Sequence, residues 1–245
     1  MNLPSHETIQ LADGAVSSIA WNSDGPVLHF AHANGFNAET YRSLLAPLSG
    51  EFRTVASDAR GHGRTTLPAT PGLQRNWTIF RDDLIAILDR IASDAAILAG
   101  HSMGATASLM AAALRPEKVR ALVLVEPVLM PQDVGPGDNE LARRAEKRRD
   151  AFSSLDEAFA LYRGRGAFKT WPDETLRDYL CGGLEQTEDG MRLSCRPAWE
   201  AEDFRSTPPG VSALAHDLRC PVTLIHAKDG TASHSEVAID RKSVV

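Results

Sequence analysis

The stretch from Ala95 to Leu114 constrains the fold of this chain more than any other. Ala95–Ala99 is a run of apolar residues that reads as a buried strand. It passes through Gly100-His101-Ser102-Met103-Gly104 into the small-residue run Ala105–Leu114, which reads as a helix ending at Arg115-Pro116. A serine wedged between strand and helix must occupy a tight, strained turn. Glycines two positions to either side supply room that a Cβ would fill. Such a turn exposes the hydroxyl and aims the helix N-terminus, with its dipole, at whatever the hydroxyl attacks.

The flanking sequence alternates in the same way, which predicts a mainly parallel sheet with helices on both faces. Thr8–Leu11 and Val16–Trp21 flank Asp13-Gly14, a hairpin signal. Val27–Ala31, Thr54–Ser57 and Val119–Val125 are further strands. Phe80, Leu84, Ile87, Leu88 and Ile91 recur at helical spacing within Trp77–Ala92. Past Pro131, residues 132–140 read as a loop, and charged helical stretches fill the chain to about residue 205 with no strongly apolar strand. The strand signal returns at Pro221–Ala227, following Ala213–Leu218. We therefore expect a core made of residues 1–129 and 206–245, and a helical lid insertion over residues 130–205.

A net charge of −6 gives no reason to expect a nucleic-acid partner. No apolar run reaches the ~20 residues that cross a bilayer, and the N-terminus lacks the pattern of a secretory leader. Cys181, Cys195 and Cys220 form neither a disulfide framework nor a zinc pattern. The expectation is a cytoplasmic protein acting on a small molecule, away from membranes, with no metal or organic cofactor.

Two more motifs join the serine turn. His32-Ala33-Asn34-Gly35-Phe36 follows the third strand, and Asp58-Ala59-Arg60-Gly61-His62-Gly63-Arg64-Thr65 follows the fourth. In this order the three motifs resemble those of the α/β-hydrolase fold family, over residues 1 to about 235. Ala33 stands where that family usually has glycine. The resemblance implies Ser102 as nucleophile and an oxyanion hole built from the backbone N–H groups of Asn34 and Met103. Each such donor is typically worth about 2.7–4 kcal/mol in the transition state. It also implies an architectural role for residues 58–65, with His62 not catalytic and His32 a structural hydrogen-bonding residue.

Two carboxylates compete for the acid of a serine triad. Asp229 follows Pro221–Ala227, one residue off the family's G-x-x-D spacing. Glu126 ends the strand after the nucleophile helix, a placement resembling the haloalkane dehalogenase branch, which also carries an asparagine like Asn34. Dehalogenation itself does not carry over, because those enzymes use aspartate where this chain has Ser102. The family's last strand and its catalytic histidine are not found before Val245, and His234 stands close behind Asp229. The expectations are a truncated or frame-shifted hydrolase with weak activity, a pseudohydrolase that only binds its ligand, or an unusual histidine geometry. An interaction protein using an open sheet edge is a further alternative.

In the insertion, the basic run Ala142–Asp150 reads as a solvated helix of mixed charge rather than an anion site. Its aromatics read as lid core, with Phe168 and Trp171 as roof of an apolar acyl pocket. The implied activity is hydrolysis of a small ester or related acyl compound through an acyl-serine.

Overall fold

A computed structural model describes residues 3–72, 76–130 and 136–227. Seven strands form one sheet in the order β1-β2-β4-β3-β5-β6-β10. They are β1 (Ser5–Leu11), β2 (Gly14–Trp21), β3 (Val27–Ala31), β4 (Arg53–Ser57), β5 (Ala96–His101), β6 (Val119–Val125) and β10 (Val222–Ile225). The β1–β2 and β2–β4 pairs are antiparallel, while β4, β3, β5, β6 and β10 run parallel. The first hairpin turns on Ala12-Asp13, with Gly14 paired to Leu11.

The short helix α1 (Arg42–Leu45) follows β3, α2 (Thr78–Ile91) precedes β5, and α3 (Met103–Leu114) follows it. Helix α2 buries Phe80, Leu84, Ile87 and Leu88 on one face, as its periodicity predicts. Helix α3 is buried almost all round, which is why it is built from alanine and other small residues. Ser108 donates to the Gly104 carbonyl inside the helix at 2.8 Å, whereas the Thr106 hydroxyl lies 3.1 Å from both the Ser102 and Val128 carbonyls and accepts the Val128 N–H at 2.9 Å. Because β3, β5 and β6 are parallel, the residues that follow them emerge at one edge of the sheet. That carboxyl edge is where sites form in open α/β sheets.

Between β6 and β10 lie α4 (Glu140–Glu146), β7 (Ala151–Phe152), α5 (Leu155–Tyr162), α6 (Asp173–Gly183), β8 (Leu184–Thr187), β9 (Gly190–Leu193) and α7 (Pro197–Arg205). This corrects the expectation of a wholly helical insertion, because β7, β9 and β8 form a three-stranded antiparallel sheet. The strands are too short and too exposed to leave an apolar run. The β8–β9 hairpin nonetheless carries the signal read at the N-terminus: Gly190, after Asp189, pairs with Thr187 at φ +136°. Ala213–Leu218 contributes a 3₁₀ turn, Val211–Asp217, and no strand. No helix among the described residues is long and apolar enough to cross a membrane.

Candidate active site

Ser102 sits at φ +53°, ψ −117°, between the last residue of β5 and the first of α3. That conformation costs a non-glycine residue roughly 1–3 kcal/mol, and the surroundings enforce it. The Ser102 N–H donates to the Val125 carbonyl at 2.9 Å, tying the turn to the end of β6. A Cβ on Gly100 would stand 2.6 Å from the Gly104 carbonyl carbon, and one on Gly104 would fall on the carbonyls of Ala31 and His32. The half-buried Ser102 lines a cleft of about 440 Å³ together with Asn34. Trp77, Val128, Met130 and Phe204 form apolar walls.

The loop after β3 is held amide by amide. The Ala33 N–H donates to the Tyr41 hydroxyl at 3.2 Å, and the Gly35 N–H to His62 Nε2 at 3.0 Å. The Asn34 N–H between them has no protein acceptor among the described residues, and neither does the Met103 N–H at the start of α3. The residue with the first uncommitted donor lines the cleft that holds the serine, and the second donor belongs to the residue next to that serine. The Asn34 side chain reaches across to the insertion, its Nδ2 donating to the Glu200 carbonyl at 3.0 Å.

The histidines around this loop are neutral struts. His62 Nδ1 donates to the Arg60 carbonyl at 2.9 Å, leaving Nε2 to accept from Gly35. Burial, with His32 nearby, lowers its pKa to about 3. His32 Nδ1 donates to the Ala33 carbonyl and its Nε2 accepts from the Ala59 N–H, both at 2.8 Å; burial lowers its pKa as well. Asp58 accepts the N–H groups of Ala38 at 2.8 Å and Arg64 at 3.0 Å. Arg60 grips Asp83 on α2 through two bonds of 3.0 and 2.7 Å.

Glu126 follows β6 at φ +48°. Its N–H donates to the Ile225 carbonyl at 2.8 Å, and its Oε1 accepts from the Ala227 N–H. It is thus one residue along from the carbonyl that anchors Ser102. Asp229 and His234 lie outside the described residues. Among the described residues, no histidine hydrogen-bonds to the Ser102 hydroxyl.

The aromatic roof differs from the expectation. Phe168 and Trp171 are not in the cleft wall; they pack into the core of the insertion, Trp171 on Phe36 at 5.3 Å and Phe168 on Tyr179 at 5.0 Å between ring centroids. Aromatic spacing in the insertion signals burial without saying on which side. Trp77 and Phe204 take the place in the wall, and the Trp77 indole is fixed by its N–H bond to the Asp203 carbonyl at 2.8 Å. Nothing in the sequence marked either. In the basic run, Arg143, Arg144 and Arg149 pair with Asp138, Glu140 and Glu157. Arg148 instead turns inward, pairing with Glu200 and donating to the Tyr179 hydroxyl at 2.7 Å.

Comparison with known proteins agrees with the fold. The alpha/beta hydrolase family matches residues 30–244. The 2-(acetamidomethylene)succinate hydrolase of Mesorhizobium japonicum is 28% identical over 204 residues, covering 83% of this chain and 71% of that protein. A putative non-heme haloperoxidase of Mycobacterium phage D29 is 35% identical over 123 residues, or 49% of this chain and 43% of the relative. Among solved structures, E-2-(acetamidomethylene)succinate hydrolase superposes with a TM-score of 0.82 at 24% identity, covering 99% of this chain and 90% of that one. The thioesterase domain from the curacin biosynthetic pathway gives 0.76 at 19% identity, covering 96% and 87%. The chain belongs to the alpha/beta hydrolase family.

Proposed function

We propose that the protein is a serine hydrolase of small esters or related acyl compounds, with Ser102 as nucleophile. The Ser102 oxygen bonds to the acyl carbon, its proton passes to a base, and the leaving alcohol departs with that proton. Water then cleaves the acyl-serine. The N–H groups of Asn34 and Met103 bind the oxyanion. The observation that carries the reading is the strained serine turn opening on the same cleft as the uncommitted Asn34 amide.

Of the two acid candidates we choose Glu126. Its positive φ and its place beside the residue that anchors the serine turn support it. His234, the base candidate this sequence offers, lies outside the described residues. The cleft walls of Trp77, Val128, Met130, Leu141 and Phe204 favour an apolar acyl group. We read residues 130–205 as the lid over that cleft. The free cysteines favour a reducing compartment, the cytoplasm.

A second reading, ligand binding without turnover, draws on the lack of a described histidine at Ser102. A fluorophosphonate probe tests the first reading. One adduct per folded chain on Ser102, absent in Ser102→Ala and after denaturation, is expected. An unlabelled folded protein that still binds a p-nitrophenyl ester would overturn it in favour of the second. Where p-nitrophenyl butyrate is turned over, Ser102→Ala should reduce kcat by up to ~10⁶ and Glu126→Gln by roughly 10⁴.

A further inference from the structure

We propose that Tyr41 is a positioning residue for the oxyanion hole, acting with His101 as a hydrogen-bonded brace across the two halves of the site. The inference rests on the serine-hydrolase reading above and adds to it the group that holds the Asn34 amide in register.

Strands β3 and β5 are paired as far as Ala31 and Gly100. Beyond that pair the ladder ends, and the loop carrying Asn34 diverges from the turn carrying Ser102. Among the described residues no main-chain bond joins residues 32–36 to residues 101–103. The Tyr41 hydroxyl makes the connection instead. It accepts the Ala33 N–H at 3.2 Å and lies 2.7 Å from His101 Nδ1. Ala33 precedes one proposed oxyanion donor, and His101 precedes the nucleophile.

The direction of the chain follows from what each group can give. The phenolic oxygen accepts the amide hydrogen, and with His101 Nδ1 as acceptor for the phenolic proton all three groups are satisfied. Two features keep the pair in that state. Burial raises the Tyr41 pKa well above the ordinary phenol value, so the hydroxyl keeps its proton. Burial also lowers the His101 pKa, outweighing the opposite pull of Glu126, so the imidazole stays neutral.

Packing fixes both rings. Tyr41 lies 4.5 Å from Phe30 on β3, and the His101 ring meets Tyr41 edge-on at 6.0 Å and Phe36 at 6.1 Å. Tyr41 closes the 3₁₀ turn Ala38–Tyr41, whose start is capped by Asn37 accepting the Thr40 N–H at 3.1 Å. A rigid turn therefore presents one hydroxyl to both halves of the site. Removing it leaves an amide and an imidazole nitrogen unpaired in the interior, and the loop is free to shift.

The test uses a fluorophosphonate, whose phosphoryl oxygen occupies the oxyanion hole as Ser102 is modified, so it needs no complete turnover. In Tyr41→Phe the maximal labelling rate should fall about tenfold, a fraction of the 10²–10³ lost with a whole oxyanion donor. The saturation constant for the probe should stay within about twofold. His101→Gln, which keeps an acceptor, should label near the wild-type rate, and His101→Leu should reproduce the Tyr41→Phe loss. This second pair decides the matter if Tyr41→Phe does not fold. An unchanged rate, or a loss confined to the saturation constant, overturns the brace. Wild-type protein that is not labelled at Ser102 overturns the hydrolase reading beneath it, an outcome distinct from labelled wild type with indifferent variants.

Discussion

Around Ser102, the side chains that hold the loops are buried, and most of them bond to main chain. His62 and His32 each join two backbone groups, and Asp58 accepts two amides. Across the cleft, the segment between β6 and β10 is laced by charged pairs such as Arg143–Asp138 and Arg144–Glu140, largely in solvent. Buried bonds to main chain fix loop geometry and leave a costly unpaired group when broken. Exposed ion pairs contribute little and fade in salt. One wall of the cleft is thus rigidly specified and the other is adjustable. The two meet at α7, where the Trp199 indole donates to the Arg60 carbonyl at 3.1 Å and Asn34 donates to the Glu200 carbonyl.

The rigid wall is most vulnerable at Gly104. An alanine there drives its Cβ onto two backbone carbonyls that cannot yield. We expect a loss at or beyond the upper end of the ~1–3 kcal/mol typical of overpacking, read as a lower urea midpoint or no soluble protein. Wild-type stability in Gly104→Ala would mean the turn is not as tight as described.

Arg148 tests the exception on the adjustable side. Arg148→Ala leaves Glu200 buried without its cation beside Gly35. A loss of about 3 kcal/mol in urea unfolding is expected, at the low end for a broken buried pair. A loss below about 1 kcal/mol would place Arg148 with its exposed neighbours.

Acid probes the rigid wall. Burial holds His29 at a pKa of about 4 and His62 at about 3, while the unfolded chain protonates near 6.5. Below about pH 6.5 the unfolded state therefore binds protons that the native state does not, and stability falls as the pH drops toward 4. The slope is up to about 1.4 kcal/mol per pH unit for each histidine. Urea titrations at pH 7, 6 and 5 should show this decline, with a shallower slope in His62→Gln; parallel slopes would contradict the assignment.

The smallest effect belongs to the outer charges. Arg144→Ala removes an exposed pair on α4, and less than about 0.5 kcal/mol should be lost, disappearing in high salt. A larger loss would show that the insertion depends on its surface pairs after all.

Much of the rigid wall was legible because its residues answer to backbone geometry. The spacing of Gly100 and Gly104 around Ser102 signals a steric requirement, and the parallel run of the sheet follows from the strand–helix alternation. Asn34 and Met103 could be singled out only through resemblance, since they contribute main-chain groups that any residue possesses. Glu126 emerged as one of two candidates from its position at a strand end. The insertion was harder to read. Its small sheet is made of strands of two to four residues, shorter than any periodicity can register, and the Asp189-Gly190 pair at its hairpin was passed over. Aromatic residues there announced a core but gave no direction, which is why Phe168 and Trp171 stood in for Trp77 and Phe204. Tyr41 left no trace in the sequence, because its hydroxyl meets His101, 60 residues along the chain.

Among the described non-glycine residues, Ser102 and Glu126 alone have positive φ. Both lie where parallel strands end, one strand apart. A backbone that concentrates its discomfort at two neighbouring positions is a sprung frame, relaxed everywhere except at the jaws. Glycine would occupy either position with less steric cost, so what keeps side chains there works against the stability of the fold.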